Sequence, residues 1–568
     1  MRGLRADCRQ HCERKNQIAS LCFCGRRRKL VFPLTRGGAY GILIVVLSLK
    51  SVSCSFVPFF LCHDYYTLQG GTVGFFLSRS RWPLRAIIAL SLALLFALSS
   101  TIFAFANVAL TRLSTDPYTN STSQHATEVE PDTYSFGSTI VSASQVGRFN
   151  NGGASNIGFA TSTNGGASWT SGFLPGTTTF ASPPGTYDRL SDASVAYDPK
   201  DNVWLISYLG LVGSNPSVAP TAPAVLVSRS TDGGLTWGNP VQVNSAGGTQ
   251  NQDKNWTVCD VTSTSPFYGH CYTEWDDNGN GNLVQMSTSS DGGLTWSTRQ
   301  STANNATVIG GQPLVQPNGT VVVPIENANE TSLLAFTSTN GGGSWSSTIT
   351  VTSINHHTDA GSIRSGSLPT AEIDGAGTVY VVWSDCRFER SCKANDLVMT
   401  TSTNGTSWTA VVRIPADARG SGVDHFIPGL AVDKSTSGST AHLGLAYYYY
   451  PVSSCSSSTC QLDVGFLSST NGGSTWTAKT QLAGPMTLTW LANTSQGFMV
   501  GDYISTSFAN GAAHPVFVVA NPNSGSVFDE AMYSPSSGLA LVAGINSSKG
   551  DKAIANAPPS TSHAKRYQ

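Results

Sequence analysis

Charged side chains are scarce in this chain of 568 residues: only 12% are charged, and 33 Lys+Arg nearly balance 34 Asp+Glu. That balance hides two unlike parts. Before Asn107 there are 14 basic and 3 acidic residues, a balance of +11, which leaves 33−14 = 19 basic and 34−3 = 31 acidic residues, a balance of −12, in the rest. Because nucleic-acid binders need a basic face, the acidic body argues against that class.

Several other signals are missing from the body. It has no CxxC pair, phosphate-binding loop, Ser-His-Asp elbow, metalloprotease motif or long amphipathic helix pattern. The chain nevertheless keeps 40% hydrophobic and 10% aromatic residues, which is too much apolar matter for a disordered chain. The composition and the missing patterns together predict a folded protein with little helix.

The first 106 residues indicate a leader and an export signal. Residues 1–72 are basic and Cys-rich, with apolar stretches too short to span a membrane, and we expect them to be a gene-start error. In 73–106, three arginines precede the apolar run 86–103 and a small-x-small end at 104–106. We expect a signal peptide cleaved after Ala106 and a secreted protein. The alternative is an uncleaved anchor, which would tether the protein to a membrane at the cell surface.

Cysteine usage agrees with export. The body holds six of the 12 cysteines, in three close pairs, and an even number of locally paired cysteines predicts disulfides. The expected bridges are Cys259 with Cys271, Cys386 with Cys392, and Cys455 with Cys460.

One motif recurs six times in the body: STNGGASW (162–169), STDGGLTW (230–237), SSDGGLTW (289–296), STNGGGSW (338–345), STNGTSW (402–408) and STNGGSTW (469–476). Asp or Asn before Gly-Gly is a tight turn, and the Trp is a large apolar anchor. Alternating apolar strands precede each turn, two more lie upstream, and a further strand set follows the last motif.

Four antiparallel strands per repeat predict an all-β fold, a β-propeller whose Asx-Gly turns join the third and fourth strands. We expect seven blades, with six as the alternative, over 128–540. Residues 107–127 would be a linker. Residues 541–568 would be a C-terminal tail, disordered at its low-complexity end.

The repeat S-x-[DN]-x-G-x-[ST]-W resembles the Asp-box, or BNR repeat, of the sialidase (neuraminidase) superfamily, over about 128–535. The resemblance implies a propeller with structural Asp-boxes at its rim and sialidase-like exo-glycosidase activity. It implies three arginines that grip the substrate carboxylate, a Tyr nucleophile paired with Glu, and an Asp acid/base. The Phe/Tyr-Arg-Ile-Pro motif of the family does not precede the first Asp-box, and only VRIP at 412–415 is similar.

Candidate site residues lie where first strands begin and second strands end, since these points share one face, opposite the Asp-boxes. We expect Arg189, Arg364 and Arg387 to form an anion clamp. The other substrate-binding candidates are Asp188, Trp256, Asp424 and Asp502, and the catalytic candidates are Tyr503, Asp385, Glu326 and Glu274. The competing interpretations are structural: Asp188 and Arg189 order a loop, Asp385 orders a disulfide loop, and Tyr503 is a buried core residue.

Two further motifs have open alternatives. DDNGNGN (276–282) suits either a calcium loop or a hairpin turn, and we expect no other metal or cofactor. The Tyr run 447–450 predicts a strand with alternating rings, of which one or two could stack on a sugar.

The expected function is that of a secreted, monomeric sialidase-like glycosidase acting on a glycan, with no nucleic-acid partner. The alternatives are a non-catalytic propeller that binds glycan or protein, and a lyase or two-carboxylate glycosidase.

The start of the mature protein tests the export hypothesis. Signal cleavage after Ala106 should leave Asn107 as the first residue, as read by N-terminal sequencing or intact mass of the native protein. Recovery of any peptide from residues 1–60 would contradict the proposed gene-start error.

Overall fold

The computed structural model describes residues 108–215, 217–245, 250–547 and 551–554. The predicted leader, the signal segment and the end of the tail lie outside these residues. Within them the regular elements are β-strands and five short 3-10 helices, at Asn278–Asn280, Ala360–Ser362, Arg390–Cys392, Gly438–Thr440 and Leu488–Trp490. The all-β prediction is confirmed. No helix in the described ranges has the length and apolar character needed to cross a membrane.

The first strand, β1 (Leu110–Arg112), belongs to the last sheet of the chain. An eight-stranded sheet follows it and consists of two sets of four, which are joined only where Ala154 pairs with Leu190. The first set is β2 (Glu128–Phe136), β3 (Thr139–Arg148), β4 (Ala154–Ser162) and β5 (Thr170–Phe173). The second set is β6 (Arg189–Asp198), β7 (Val203–Val212), β8 (Thr221–Ser230) and β9 (Val241–Ser245).

Four more antiparallel sheets continue in chain order. The first has three strands, β10 (Gln252–Cys259), β11 (Cys271–Asp277) and β12 (Leu283–Ser289). The next has β13 (Val308–Ile309), β14 (Leu314–Val315), β15 (Val321–Asn327), β16 (Ser332–Ser338) and β17 (Ile349–Ser353). Then come β18 (Thr370–Ile373), β19 (Val379–Asp385), β20 (Asp396–Ser402) and β21 (Val412–Ile414), followed by β22 (Asp424–Val432), β23 (Leu443–Tyr450), β24 (Gln461–Ser469) and β25 (Thr480–Thr487).

The last sheet is completed from the other end of the body. After a hairpin of β26 (Ala492–Thr494) and β27 (Gly497–Met499) come β28 (Ser505–Ala509), β29 (Ala512–Ala520), β30 (Glu530–Pro535) and β31 (Leu539–Ala540). Strand β1 pairs antiparallel with β30, so part of the expected linker 107–127 is a strand of this sheet. The two ends of the body are thereby hydrogen-bonded to each other.

Neighbouring sheets meet through their first strands. Contacts run in the order β2, β6, β10, β14, β18, β22 and β28, and β28 contacts β2 again. Strands in these sheets are buried on both faces, which is why they are near-continuously apolar. All four tyrosines of 447–450 are buried, with alternate rings in two different core clusters, so none of them offers a sugar-stacking surface.

Five of the six Asp-boxes lie between the third and fourth strands of a sheet, and the box at 289–296 leads to a bridge between Met286 and Gln300. In the box at 230–237, Gly234 N–H donates to Ser230 Oγ (2.9 Å) and Thr236 N–H donates to Asp232 Oδ1 (2.9 Å). These bonds fold the turn onto itself.

The Asp-box glycines also bring neighbouring sheets together. Gly234 has φ of +82°, and a Cβ built on it would lie 2.7 Å from Val141 Cγ2 of the preceding sheet. The same approach to the preceding sheet recurs in every box: Gly166 against His514, Gly234 against Val141, Gly293 against Leu205, Gly342 against Thr288, Gly405 against Val322, and Gly473 against Met399. Gly166, in the first set of four strands, therefore packs against the last sheet of the chain. This agrees with the contact between β28 and β2.

Three disulfides are present as predicted, Cys259–Cys271, Cys386–Cys392 and Cys455–Cys460. The first joins β10 to β11, and the other two close loops between second and third strands. The described part of the tail also makes contacts, because Trp476 N–H donates to Asn546 O (2.8 Å) and Ile554 N–H donates to Arg387 O (2.8 Å).

Substitutions at two adjacent glycines allow the effect of backbone strain to be measured separately from the effect of packing. Gly233 and Gly234 both have positive φ, but a Cβ at Gly233 meets nothing within 4 Å. Both alanine variants should suffer the backbone penalty, while Gly234→Ala adds a clash worth about 1–3 kcal/mol. We therefore expect a larger loss in the free energy of unfolding, measured in urea, for Gly234→Ala than for Gly233→Ala. Equal losses would contradict the packing role.

Candidate functional site

A cluster of charged side chains lies where three consecutive first strands bulge. The pairing register shifts in β2 between Val129 and Asp132, in β6 between Ser191 and Ser194, and in β10 between Asp253 and Trp256. Within each bulge a charged residue adopts positive φ: Glu130 (56°), Asp192 (55°) and Lys254 (52°). Non-glycine residues rarely adopt this backbone, which is often found at functional sites.

These bulged residues meet around Asp502, which lies just before β28. Arg364 binds the carboxylate with two hydrogen bonds, Nε to Oδ1 at 2.7 Å and Nη2 to Oδ2 at 2.5 Å. The Lys254 ammonium also contacts Oδ2, and Lys254 N–H donates to Asp192 Oδ2 (3.0 Å). Asp502 N–H donates to Glu130 Oε1 (3.1 Å). Residues from three first strands and two loops therefore share one ion cluster, which we call the Asp502 cluster.

The carboxyl groups of the cluster and its neighbour Asp253 differ widely in pKa. Burial alone would raise the pKa of Asp502, but Arg364 and Lys254 hold it well below its usual value. Burial, together with Asp502 and Asp192, raises the pKa of Glu130 to about 8. Burial likewise raises the pKa of Asp253 to about 7, against the opposing effect of Lys254. At neutral pH an ionised carboxylate thus lies beside carboxyls that retain a proton.

Residues of the first sheet support the cluster from behind. Gln145 donates through Nε2 to Glu130 and to Ser191 Oγ (3.2 Å), and it accepts at Oε1 from Arg148 Nη1 (2.5 Å). The Arg148 side chain is buried, so its guanidinium lies inside the protein next to the Asp502 cluster and not in solvent.

A small cavity opens onto the cluster. It is lined by Lys254, Trp256, Gln312, Thr370, Asp502 and Tyr503, among others. Its volume of about 20 Å³ accommodates one or two water molecules and no sugar ring. The half-buried Trp256 meets the Tyr503 ring edge to face, with centroids 5.2 Å apart. A larger ligand would therefore contact the outer opening.

Residues 221–427 match the family model described as a BNR repeat-like domain. The match spans 207 of the 568 residues, so it shows BNR repeats in this part of the chain. The resemblance inferred from the six Asp-boxes is confirmed. No curated protein matches the sequence significantly.

Among solved structures, the chain is similar to a leech intramolecular trans-sialidase, with 12% identity, a TM-score of 0.40, and coverage of 60% of this chain and 67% of that one. A Trypanosoma rangeli sialidase matches with 12% identity, a TM-score of 0.39, and coverage of 64% and 58%. An α-L-arabinofuranosidase from Fusarium graminearum matches with 13% identity, a TM-score of 0.37, and coverage of 61% and 92%. At these TM-scores the likenesses carry no argument about activity.

Four residues predicted for the site of this BNR-repeat protein come together: Arg364, Asp502, Trp256 and Tyr503. Tyr503, however, donates its hydroxyl to Ala193 O (3.1 Å). Burial and the neighbouring carboxylates raise its pKa well above 10. Since a nucleophilic phenol needs help to lose its proton, this environment suits a neutral structural tyrosine.

The other two arginines of the expected clamp are bound within the protein by neighbouring segments of the chain. Arg189 donates to Asn151 Oδ1 (2.6 Å) and to the carbonyls of Gly152 (2.9 Å) and Asn215 (3.0 Å). Its guanidinium lies 4.3 Å from the centroid of the Phe149 ring. The neighbouring Asp188 likewise accepts from Gly213 N–H at 2.7 Å. Both residues have the loop-ordering role that competed with substrate binding.

Arg387 forms a two-point pair with Asp385, at 2.9 and 2.7 Å. Asp385 also accepts from Trp383 Nε1 and Asn355 N–H, both at 3.1 Å, beside the disulfide-closed loop 386–392. Its oxygens are thus used within the protein. No described contact joins Arg189 or Arg387 to Arg364, so the three-arginine clamp stays a prediction that this geometry does not support.

The remaining carboxyl candidates lie elsewhere. Burial raises the pKa of both Glu274 and Glu326 well above the usual value, and no described contact joins either to Tyr503. Asp424 accepts from Asn395 N–H (2.6 Å) and lies 3.5 Å from His357 Nε2, in a separate buried cluster. Arg413 of the VRIP segment pairs with Asp396 at 2.7 Å, in an outer strand.

The possible calcium loop is closed by its own hydrogen bonds. Asp276 accepts from Asn282 Nδ2 (2.7 Å), and Asp277 accepts from Asn251 N–H (3.0 Å). In the described part of the chain, no three His, Cys, Asp or Glu side chains are grouped to hold a metal ion.

Sequence reasoning missed Glu130, Asp192 and Gln145, and it gave Lys254 no role. A signal was present: in V-E-P-D (129–132), S-D-A-S (191–194) and D-K-N-W (253–256), charged residues interrupt apolar strands at matching positions of successive repeats.

The raised pKa of Glu130 makes stability depend on pH. Because the folded pKa lies above the unfolded value of 4.5, stability should fall as pH rises from about 4.5 to 8. Glu130→Gln should remove this loss, with a gain at pH 8.5 relative to pH 5 of at least about 1.4 kcal/mol, one pKa unit. Thermal and urea unfolding across this range measure it.

Asp232→Asn is the control, since Asp232 in an exposed Asp-box has a pKa lowered to about 2 by hydrogen bonds that outweigh its slight burial. It should leave the slope between pH 5 and 9 unchanged. An unchanged slope for Glu130→Gln would refute the assignment.

Proposed function

We propose that the antiparallel sheets close into a seven-bladed propeller. Support comes from first-strand contacts that return from β28 to β2, from β1 completing the last sheet, and from the Asp-box glycines. Splitting the eight-stranded sheet at its single Ala154–Leu190 pair accounts for two of the seven blades. The Asp502 cluster would then lie at one end of the central channel, where propellers commonly place their sites.

We propose that this BNR-repeat protein hydrolyses glycosidic bonds at that end of the channel, using two carboxyl groups. The observation that carries the proposal is the divergence of carboxyl pKa values within the Asp502 cluster. Pairs of titratable groups driven apart in this way mark the acid and the base of an enzyme.

Roles follow from exposure and charge. Asp253 is half-buried next to Lys254 and has a pKa raised to about 7, so it is partly protonated at neutral pH and suited to donate a proton to the leaving oxygen. Asp502 is ionised and lines the cavity, where it would oppose the positive charge that develops on the sugar. Lys254 and Arg364 would position Asp502. The cavity has room for the attacking water, whose proton would pass to the Asp253 carboxylate left after the leaving oxygen is protonated, which restores the acid. The sugar would lie over Trp256.

The sialidase version of this function has less support. It needs three arginines free to bind a carboxylate and a tyrosine that loses its proton. Here the donors of Arg189 and Arg387 are used by other groups of the protein, and Tyr503 is held neutral. We therefore favour a two-carboxylate glycosidase over an exo-α-sialidase.

We also propose export of the protein, with a membrane tether only if the signal segment is retained, and action as a monomer on a glycan. The three disulfides support an oxidising compartment.

Hydrolysis of a panel of fluorogenic glycosides, including an α-sialoside, at pH 4–9 tests the enzyme. Asp253→Asn should lower kcat about 10²–10⁴-fold on substrates with poor leaving groups, and less on nitrophenyl glycosides, which need little acid assistance. Asp433→Asn, in the β22–β23 turn, is the matched control and should retain full activity.

Three results would overturn this mechanism. A folded protein inactive on the whole panel would point to non-catalytic binding. Turnover of the sialoside alone, abolished by Tyr503→Phe, would restore the sialidase alternative. Full activity of Asp253→Asn on every substrate would remove that residue from the mechanism.

A further inference from the structure

A second cavity lies further along the same first strands. It shares Trp256, Gln312 and Thr370 with the cavity at the Asp502 cluster. Its own lining comes from residues further along the chain, Asp132 and Tyr134 in β2, Glu372 in β18, and Lys434 just after β22. The enclosed volume is about 30 Å³, so a ligand larger than water would sit at its outer rim.

The rim carries a carboxylate and an ammonium group that are not paired with each other. The Lys434 Nζ donates to the Tyr134 hydroxyl at 3.2 Å and lies 4.8 Å from the centroid of that ring. The Glu372 carboxylate accepts from Ile373 N–H at 3.3 Å, and no described cation lies within 4.0 Å of it. Both side chains are half-buried. A partly desolvated donor and acceptor facing one cavity are groups that a polar ligand could join.

A row of aromatic rings leads from this rim to solvent. Tyr134 packs edge-on against Trp204 (6.2 Å), Trp204 lies 4.7 Å from Tyr197, and Tyr197 lies 4.5 Å from Phe136. Phe136 is 43% exposed although Tyr197 holds its ring in place. Tyr134 and Phe136 are two residues apart on β2, so their side chains lie on the same face of the strand. The rim is thus flanked by a fixed, partly exposed apolar surface.

We propose that this rim is a second binding site, for a neutral oligosaccharide. Sugar hydroxyls would donate to Glu372 and accept from Lys434, while the apolar face of a sugar ring would lie against Tyr134 and Phe136. Glu372 and Lys434 offset each other's charge, and burial raises the pKa of Asp132, the other acid of the lining, to about 7. The small net charge that remains favours hydroxyls over a charged group. The site is independent of the proposed hydrolysis, because no residue of the Asp502 cluster contributes a side chain to its rim.

Titration of the purified protein with cellohexaose, maltoheptaose and xylohexaose tests the site, by calorimetry and by Trp fluorescence, to which Trp204 contributes. We expect at least one of these neutral sugars to bind and 3′-sialyllactose to bind more weakly. Phe136→Ala and Glu372→Gln should each weaken that binding about tenfold or more. Asp253→Asn at the Asp502 cluster and Leu294→Ala, an exposed apolar side chain in another Asp-box, are the controls and should bind as the unmodified protein does.

Each contrary result is decisive. Absence of binding to all three neutral sugars, or tighter binding of 3′-sialyllactose, would overturn the proposed ligand class. Binding that is lost in Asp253→Asn but kept in Phe136→Ala and Glu372→Gln would place the sugar at the other end of the channel. Unchanged melting temperatures for the variants ensure that losses report contact with the sugar, and activity on glycosides is measured separately.

Discussion

The absence of a side chain at one Asp-box glycine is the constraint on which the arrangement of sheets depends. In each of the six boxes this glycine closes against the preceding sheet, from Gly166 against His514 to Gly473 against Met399. A Cβ would have to displace atoms that are already in contact, and positive φ disfavours other residues as well. The turn therefore has two functions: it reverses the chain, and it sets the distance between neighbouring sheets.

That packing brings the first strands close enough for their bulges to share charges. Glu130, Asp192 and Lys254 come from three different first strands, yet their groups meet around Asp502 within hydrogen-bonding distance. A buried ion cluster of this kind is strained in its backbone and costly to desolvate, so it is weak evidence for stability and better evidence for a role in binding or chemistry. Further along the same strands lies a different set of groups, in which Glu372 and Lys434 offset each other's charge near a row of aromatic rings.

Several site residues could be named from the sequence but not assigned a role. Arg189, Arg364 and Arg387 all lie at loop ends, as their positions predicted, but only Arg364 meets Asp502. The other two bind carbonyl and side-chain oxygens of nearby segments, and those partners depend on loop conformation, which strand patterns do not specify. The sequence shows that Tyr503 follows Asp502 directly. The protonation of Tyr503, however, depends on its burial and on Glu130, which is 373 residues away in the chain.

The sequence by itself determined the all-β class, the six Asp-boxes and the three disulfides, because each rests on contacts between residues close in the chain. Only the tertiary structure decided which charged residues meet, that β1 completes the last sheet, and that the four tyrosines of 447–450 are all buried. These features depend on contacts between distant segments. A local pattern specifies which face of a strand a side chain occupies, but not what the next sheet brings against it.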